Sequence, residues 1–394
     1  MLLKRLELTN VLSFQKTSVE LGQLNVLIGP NAVGKSNLIE AVSLLQAAPG
    51  SLSQEMLRGG GVRQWLWLGD RAPSPIGSVE CDVRLASGRQ TGDLSYRLEF
   101  SEDANGFVVL GESLRQDSSR NADSTNPDVY FRRSYNSADF GPKALELLQT
   151  TSGSVTVSPA ESILAQFKNT HDPTPITNLG NHFTRIRIFR EFRTSIGSQV
   201  RYGISTSIPK DFLSDGADNL ALVLHELDFL GVHERIRSYL KRFCDRFDDV
   251  KVRVGAGLAQ AFLREDGLVD LLSAMRMSDG TLKFLCLLAV LFNPKPPPLI
   301  CLEEPELGMH PDALKLVAEA LVEASESVQL IVTTHSDALI DALTDQPDVV
   351  LVCERDFDNS TQFRRLSAKE LDEWLEHYSL GQLWRKGEIG GGRW

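Results

Sequence analysis

The stretch Gly29-Pro-Asn-Ala-Val-Gly-Lys-Ser36 constrains this 394-residue chain more than any other. It fits G-x-x-x-x-G-K-[ST] at every fixed position, follows the apolar run Leu24–Ile28, and precedes a segment where Leu38, Ile39, Val42 and Leu45 have helical spacing. Strand, glycine turn and helix in that order predict a loop whose backbone N–H groups point at phosphate oxygens. The helix N-terminus adds the positive end of its dipole. Lys35 supplies a point charge for the β- and γ-phosphates, and the Ser36 hydroxyl a ligand for Mg²⁺. Gly29, Asn31, Ala32, Val33, Gly34, Lys35, Ser36 and Asn37 are therefore the expected nucleotide-binding residues.

A second apolar run, Leu299–Leu302, ends in Glu303-Glu304-Pro-Glu306 and follows three prolines that stop any earlier helix. Open α/β sheets build their sites at the carboxyl ends of such strands. Glu303 is expected to hold Mg²⁺ and Glu304 to orient or deprotonate the attacking water. A third run, Gln329–Thr334, ends in His335, 31 residues beyond Glu304. Beside the Glu304 strand, its imidazole would reach the γ-phosphate as a second catalytic group. Ser278, Asp279 and Gly280 precede the apolar helix Phe284–Leu291 and read as another anion-binding helix end.

The remaining chain frames these motifs. Residues 77–135 alternate like antiparallel strands, and the polar stretch 117–128 reads as a mobile loop. Beyond 159 the pattern is mostly helical, with Phe183–Phe192 strand-like and helices near 217–230 and 233–247. Ser367 and Glu370 have capping-box spacing. The fold class is α/β, with 1–158 and 251–394 as one head and 159–250 as a mostly helical insertion. A net charge of −11 makes nucleic acid a poor default partner. Arg185, Arg187 and Arg190, interleaved with Phe183, Phe189 and Phe192, fit either a DNA track or a half-buried strand. No apolar run is long enough for a membrane span, and the N-terminus lacks a secretory pattern. Five scattered cysteines without a C-x-x-C pair read as core residues in a reducing, cytoplasmic setting.

In their order these motifs resemble the ABC-class ATPases, in the SMC/RecF/OLD-like branch of AAA-type ATPase heads. Gly29–Ser36 matches Walker A, and Met277–Gly280 looks like the signature motif. Leu299–Glu304 looks like Walker B, the segment from Glu306 to Pro311 like the D-loop, and Thr333–Ser336 like the switch-histidine strand. The C-terminal stretch 380–394, with Asp215–Leu224, further resembles bacterial stand-alone predicted ATPases, some of which act in phage defence beside a partner effector, often a nuclease. The resemblance implies a P-loop ABC-type head with an antiparallel β lobe, using ATP and Mg²⁺. It also implies a dimer in which Ser278, Asp279 and Gly280 act in trans on the partner's nucleotide. Glu303 stands where the family usually has Asp, and Gln64 is the nearest guess for its magnesium-sensing glutamine. Two further functions stay open: a DNA-binding repair ATPase, and a nucleotide-dependent scaffold with little turnover.

Overall fold

A hairpin of β1 (Leu2–Val11) and β2 (Phe14–Glu20) opens the chain, and β3 (Leu24–Ile28) leads into the glycine loop and α1 (Lys35–Ala47). Short helices α2 (Leu52–Arg58) and α3 (Val62–Trp65) precede β4 (Gly77–Ser87), β5 (Gln90–Asp103), β6 (Gly106–Gln116), β7 (Val129–Ser134), β8 (Ser137–Phe140) and β9 (Ser154–Thr156). Then come α4 (Ile163–Gln166), α5 (Pro175–Thr184), β10 (Arg187–Phe189), β11 (Ile204–Ser205), α6 (Leu220–Phe229) and α7 (His233–Phe243). The last third holds β12 (Phe247–Gly255), β13 (Leu258–Glu265), β14 (Leu272–Ser273), α8 (Asp279–Leu291), β15 (Leu299–Glu303), α9 (Leu314–Ser325) and β16 (Gln329–Thr333). It closes with α10 (Asp337–Asp341), β17 (Val350–Arg355), β18 (Thr361–Arg365), α11 (Ala368–Leu375) and α12 (Leu380–Lys386). This computed structural model describes residues 1–69, 75–87, 90–104, 106–116, 129–142, 144, 154–167 and 174–390. The expected loop 117–128 and the end of the C-terminal resemblance, 391–394, lie outside them.

The strands form an antiparallel sheet, β2-β1-β4-β5-β6-β7-β8-β9, and a central sheet, β10-β15-β16-β3-β17-β18, parallel except for β18. A small sheet joins β11, β13, β12 and β14. Side-chain alternation in the central strands divides the core in two. Val26, Ile300, Val332 and Val350 face a core shared with α6, α8 and α9. Leu27, Cys301, Ile331 and Leu351 face the other, shared with α1 and the antiparallel sheet. Buried residues surround most of α1, which lies in that second core between the sheets. The sheets meet along an edge, where Thr17 Oγ1 donates to Thr361 O (2.6 Å) and Thr361 N to Ser13 O (2.9 Å).

The segment 159–250, expected as a mostly helical insertion, also feeds the central sheet, and two other expectations change. Its strand β10 pairs in parallel with β15, Phe189 opposite Leu302, as the edge of the central sheet. Only Arg187–Phe189 of the expected strand Phe183–Phe192 is extended, because Pro175 at the first turn and the Thr174 cap start a helix that runs to Thr184. Ser367 precedes α11 without a side-chain cap, and the capping box forms instead at Ser379 and Gln382.

The antiparallel sheet is tied to the helices by a buried carboxylate. Glu112 on β6 accepts from Tyr96 Oη (2.9 Å), Ser162 Oγ (2.6 Å) and Ile163 N (2.8 Å), with Arg133 Nη1 at 3.7 Å. Burial pushes its pKa up, and the Ser162, Ile163 and Tyr96 hydrogen bonds oppose that push. Truncating one partner of a buried ion pair costs about 3–5 kcal/mol. Glu112→Ala is expected to lower the unfolding free energy by about that much in a urea titration; a loss below about 1 kcal/mol would contradict this anchoring role.

Candidate functional site

The loop after β3 is shaped by what cannot fit in it. A Cβ on Gly29 would lie 2.6 Å from the Cys353 carbonyl oxygen. Gly34 has φ +110, and a Cβ there would overlap the hydroxyls of Thr361 and Ser13. Between them Ala32 adopts φ +59, and Arg355 on β17 donates to its carbonyl (2.6 Å). Gly34 caps α1 without a side-chain hydrogen bond, and the first turn holds no acid, so the helix N–H groups stay unclaimed by side chains. Lys35 is buried and donates from Nζ to the carbonyls of Gly29 (2.8 Å) and Pro30 (2.9 Å). Burial lowers its pKa; the nearby Cys353 and Glu304 oppose that. Asn31, Ala32 and Ser36 are exposed.

Because β16 lies between β3 and β15 in parallel register, the loops after all three strands emerge at one edge. Glu303 comes near the Ser36 hydroxyl there, which favours its charged form against burial. Its Oε1 is buried without a hydrogen-bond partner among the described residues, and burial raises the carboxyl pKa. A serine hydroxyl and an open carboxylate oxygen are the donors a hard cation such as Mg²⁺ takes, so these residues fit that ion. Glu304 sits at φ +43, in the left-handed region that non-glycine residues adopt uncommonly, and its N–H donates to Thr333 O (3.0 Å). His335 Nε2 lies 3.6 Å from Glu304 Oε1. Burial and then the Lys35 charge lower the His335 pKa, against the pull of Glu304. Glu306 accepts from the Thr334 hydroxyl, which itself accepts from Ser336 N (3.0 Å), tying the segment after Glu304 to the His335 loop.

The signature residues are held by a different set of contacts. Ser278 caps α8 by accepting from Thr281 N (3.1 Å). Buried Arg201 donates to the carbonyls of Ala274 (3.2 Å) and Met277 (2.8 Å) and pairs with Asp279. Gly280 packs on Gly308, where a Cβ would come within 3.1 Å of the carbonyl, and Lys283 Nζ donates to Leu307 O (3.0 Å). Ser278 and Asp279 are exposed. Among the described residues their hydrogen bonds run to α8 and Arg201, not to the phosphate loop.

The arginines do not form one track. Arg185 donates to Pro296 O (3.2 Å) and Arg187 lies over Phe212, 5.9 Å from the ring centre, so both line a cavity with Lys295 at the amino end of β10. Arg190, at the carboxyl end, reaches Glu40 (3.4 Å) and Glu303 (3.8 Å). Gln64 is exposed on α3 and lines neither cavity that holds Arg190. Sequence reading missed Glu40 and saw Arg201 only as one more member of the basic run. Glu40 had a signal, four residues after Ser36 on the same helix face; the role of Arg201 had none, since the Ala274 and Met277 carbonyls and the Asp279 carboxylate that it meets lie more than seventy positions along the chain.

Known proteins share parts of this arrangement. The Old nuclease of Escherichia phage P2 is 37% identical over 76 residues, 19% of this chain and 12% of that protein. The DNA replication and repair protein RecF of Shouchella clausii (strain KSM-K16) is 31% identical over 99 residues, 24% of this chain and 26% of that protein. The chain thus matches only a small part of either relative's length. Two solved structures share the fold. An SMC head bound to the C-terminal winged-helix domain of ScpA aligns over 94% of this chain and 99% of its own, with TM-score 0.56 and 14% identity. An SMC head from Pyrococcus furiosus with an extended coiled coil, bound to the C-terminal domain of ScpA, aligns over 95% and 98%, with TM-score 0.51 and 14% identity. The fold is therefore a mixed α/β, SMC-head-like one, with an antiparallel lobe beside a largely parallel sheet. Residues 24–341 run from the strand that feeds the phosphate loop to the helix after His335, and over them the chain belongs to the family described as "AAA domain, putative AbiEii toxin, Type IV TA system".

Proposed function

We propose that this chain is an ATPase head whose two copies are joined by ATP and gate a separate effector. The observation that carries the reading is the convergence of the Gly29–Ser36 loop, Glu303-Glu304 and His335 on one edge of the central sheet. The unclaimed N–H groups of α1 and the Lys35 ammonium would hold the phosphates, with Asn31, Ala32, Val33 and Asn37 as backbone or side-chain neighbours. Ser36 and Glu303 would hold Mg²⁺, which when bound neutralises phosphate charge. Glu304, fixed at its strained backbone by Thr333, would take a proton from the attacking water. His335, kept neutral by burial and by Lys35, is suited to donate a hydrogen bond to the γ-phosphate.

The signature loop supports a shared site. Ser278, Asp279 and Gly280 are pinned to their own chain through Arg201 and Gly308, and among the described residues none of their hydrogen bonds reaches the phosphate loop. A partner copy could offer them to the nucleotide. The family's toxin–antitoxin description and the likeness to a phage nuclease support an effector in bacterial defence. A DNA-binding reading draws on the RecF likeness alone, because Arg185 and Arg187 lie at the opposite end of β10 from Arg190.

Lys35→Ala is expected to abolish ATP binding in calorimetry. Glu304→Gln should still bind ATP but lose at least about a hundredfold in turnover. Binding that survives Lys35→Ala, or turnover that survives Glu304→Gln, would sink the reading. His335 gives a pH test. Its folded-state pKa is depressed, so as pH falls through about 6.5 the unfolded chain is protonated first and stability at this residue is lost. An NMR titration should place His335 below about 6.5, and a midpoint above that value would contradict the assignment.

A further inference from the structure

Arg190 stands where strand pairing puts it. Phe189 is opposite Leu302 in the β10–β15 pair, so the next residue, Arg190, comes alongside Glu303. Its Nη1 lies 3.4 Å from Glu40 Oε2 and 3.8 Å from Glu303 Oε1. The second distance is Coulombic and too long for a hydrogen bond. Glu303 Oε1 thus faces the guanidinium charge yet is buried without a hydrogen-bond donor among the described residues. Glu40, one helical turn after Ser36, gives the same guanidinium nitrogen a second carboxylate.

We propose that Arg190 is a positioning residue of this site, a tethered counter-ion shared between Glu303 and Glu40 that sets how much divalent cation the site requires. This inference rests on the nucleotide reading above. The guanidinium and a divalent ion are competing counter-ions for one carboxylate, and like charges a few ångströms apart repel. Glu40 relieves that competition by holding the guanidinium when Glu303 is otherwise engaged. The two side chains therefore act in opposite directions, a pattern that loss of packing would not produce.

The test measures the affinity of fluorescent ATP as a function of free Mg²⁺, with direct Mn²⁺ binding by EPR as a second readout, in wild type, Arg190→Gln, Arg190→Lys, Glu40→Gln and the double variant. Arg190→Gln should lower the half-saturating metal concentration about tenfold. Glu40→Gln should raise it about threefold. Arg190→Lys, which keeps the charge, should stay near wild type, and the double variant should behave like Arg190→Gln. An unchanged or raised metal requirement in Arg190→Gln overturns the counter-ion role while leaving the nucleotide site intact. A wild-type chain that binds ATP neither with metal nor without it overturns the nucleotide reading, and this inference with it.

Discussion

The parallel backbone pairing of β16 with β3 on one side and β15 on the other is the constraint on which the candidate site depends. Thr333 lies opposite Leu27 and Glu303, so three loops distant in sequence emerge together. Without that register Lys35, Glu304 and His335 would be unrelated polar residues on separate turns. Parallel pairing demands long crossovers with both faces covered. Here α1 and the antiparallel sheet cover one face and α6, α8 and α9 the other. The alternation of the central strands between two cores is therefore the packing side of the same fact that assembles the chemistry.

The parts legible in the sequence were those with local causes. The phosphate loop, its strand and its helix follow from glycine placement and apolar spacing within about twenty residues, and the structure has them at Leu24–Ile28 and Lys35–Ala47. The acids and His335 could be read because each ends an apolar run. The strand at 187–189 was only half legible. Its alternation was visible, but its place beside β15 depends on hydrogen bonds to residues more than a hundred positions away. The arginines show the limit of composition. Arg185, Arg187, Arg190 and Arg201 look like one basic cluster in sequence, yet they contact a proline carbonyl, a phenylalanine face, an acidic pair and the signature loop. Which carboxylate or carbonyl an arginine meets is tertiary information.

Arg201 and Glu306 tie the parts of the site to one another. Arg201 fastens the loop before α8 to the chain interior, Lys283 and Gly280 fasten α8 to residues 307–308, and Glu306 fastens that segment through Thr334 to the His335 loop. Contacts thus link the helix that Ser278 caps, through residues 306–308, to the His335 loop. In a nucleotide-joined pair, loss of that phosphate from one copy would be felt at the surface that the same copy presents to its partner.

A working site that needs residues from two chains can be rebuilt by mixing Lys35→Ala chains with Ser278→Arg chains, each inactive alone. If the site is shared, mixed pairs regain one intact site of two, and random pairing restores about a quarter of wild-type ATP turnover. A mixture as inactive as its components, under conditions where the chains are shown to associate, would contradict the account.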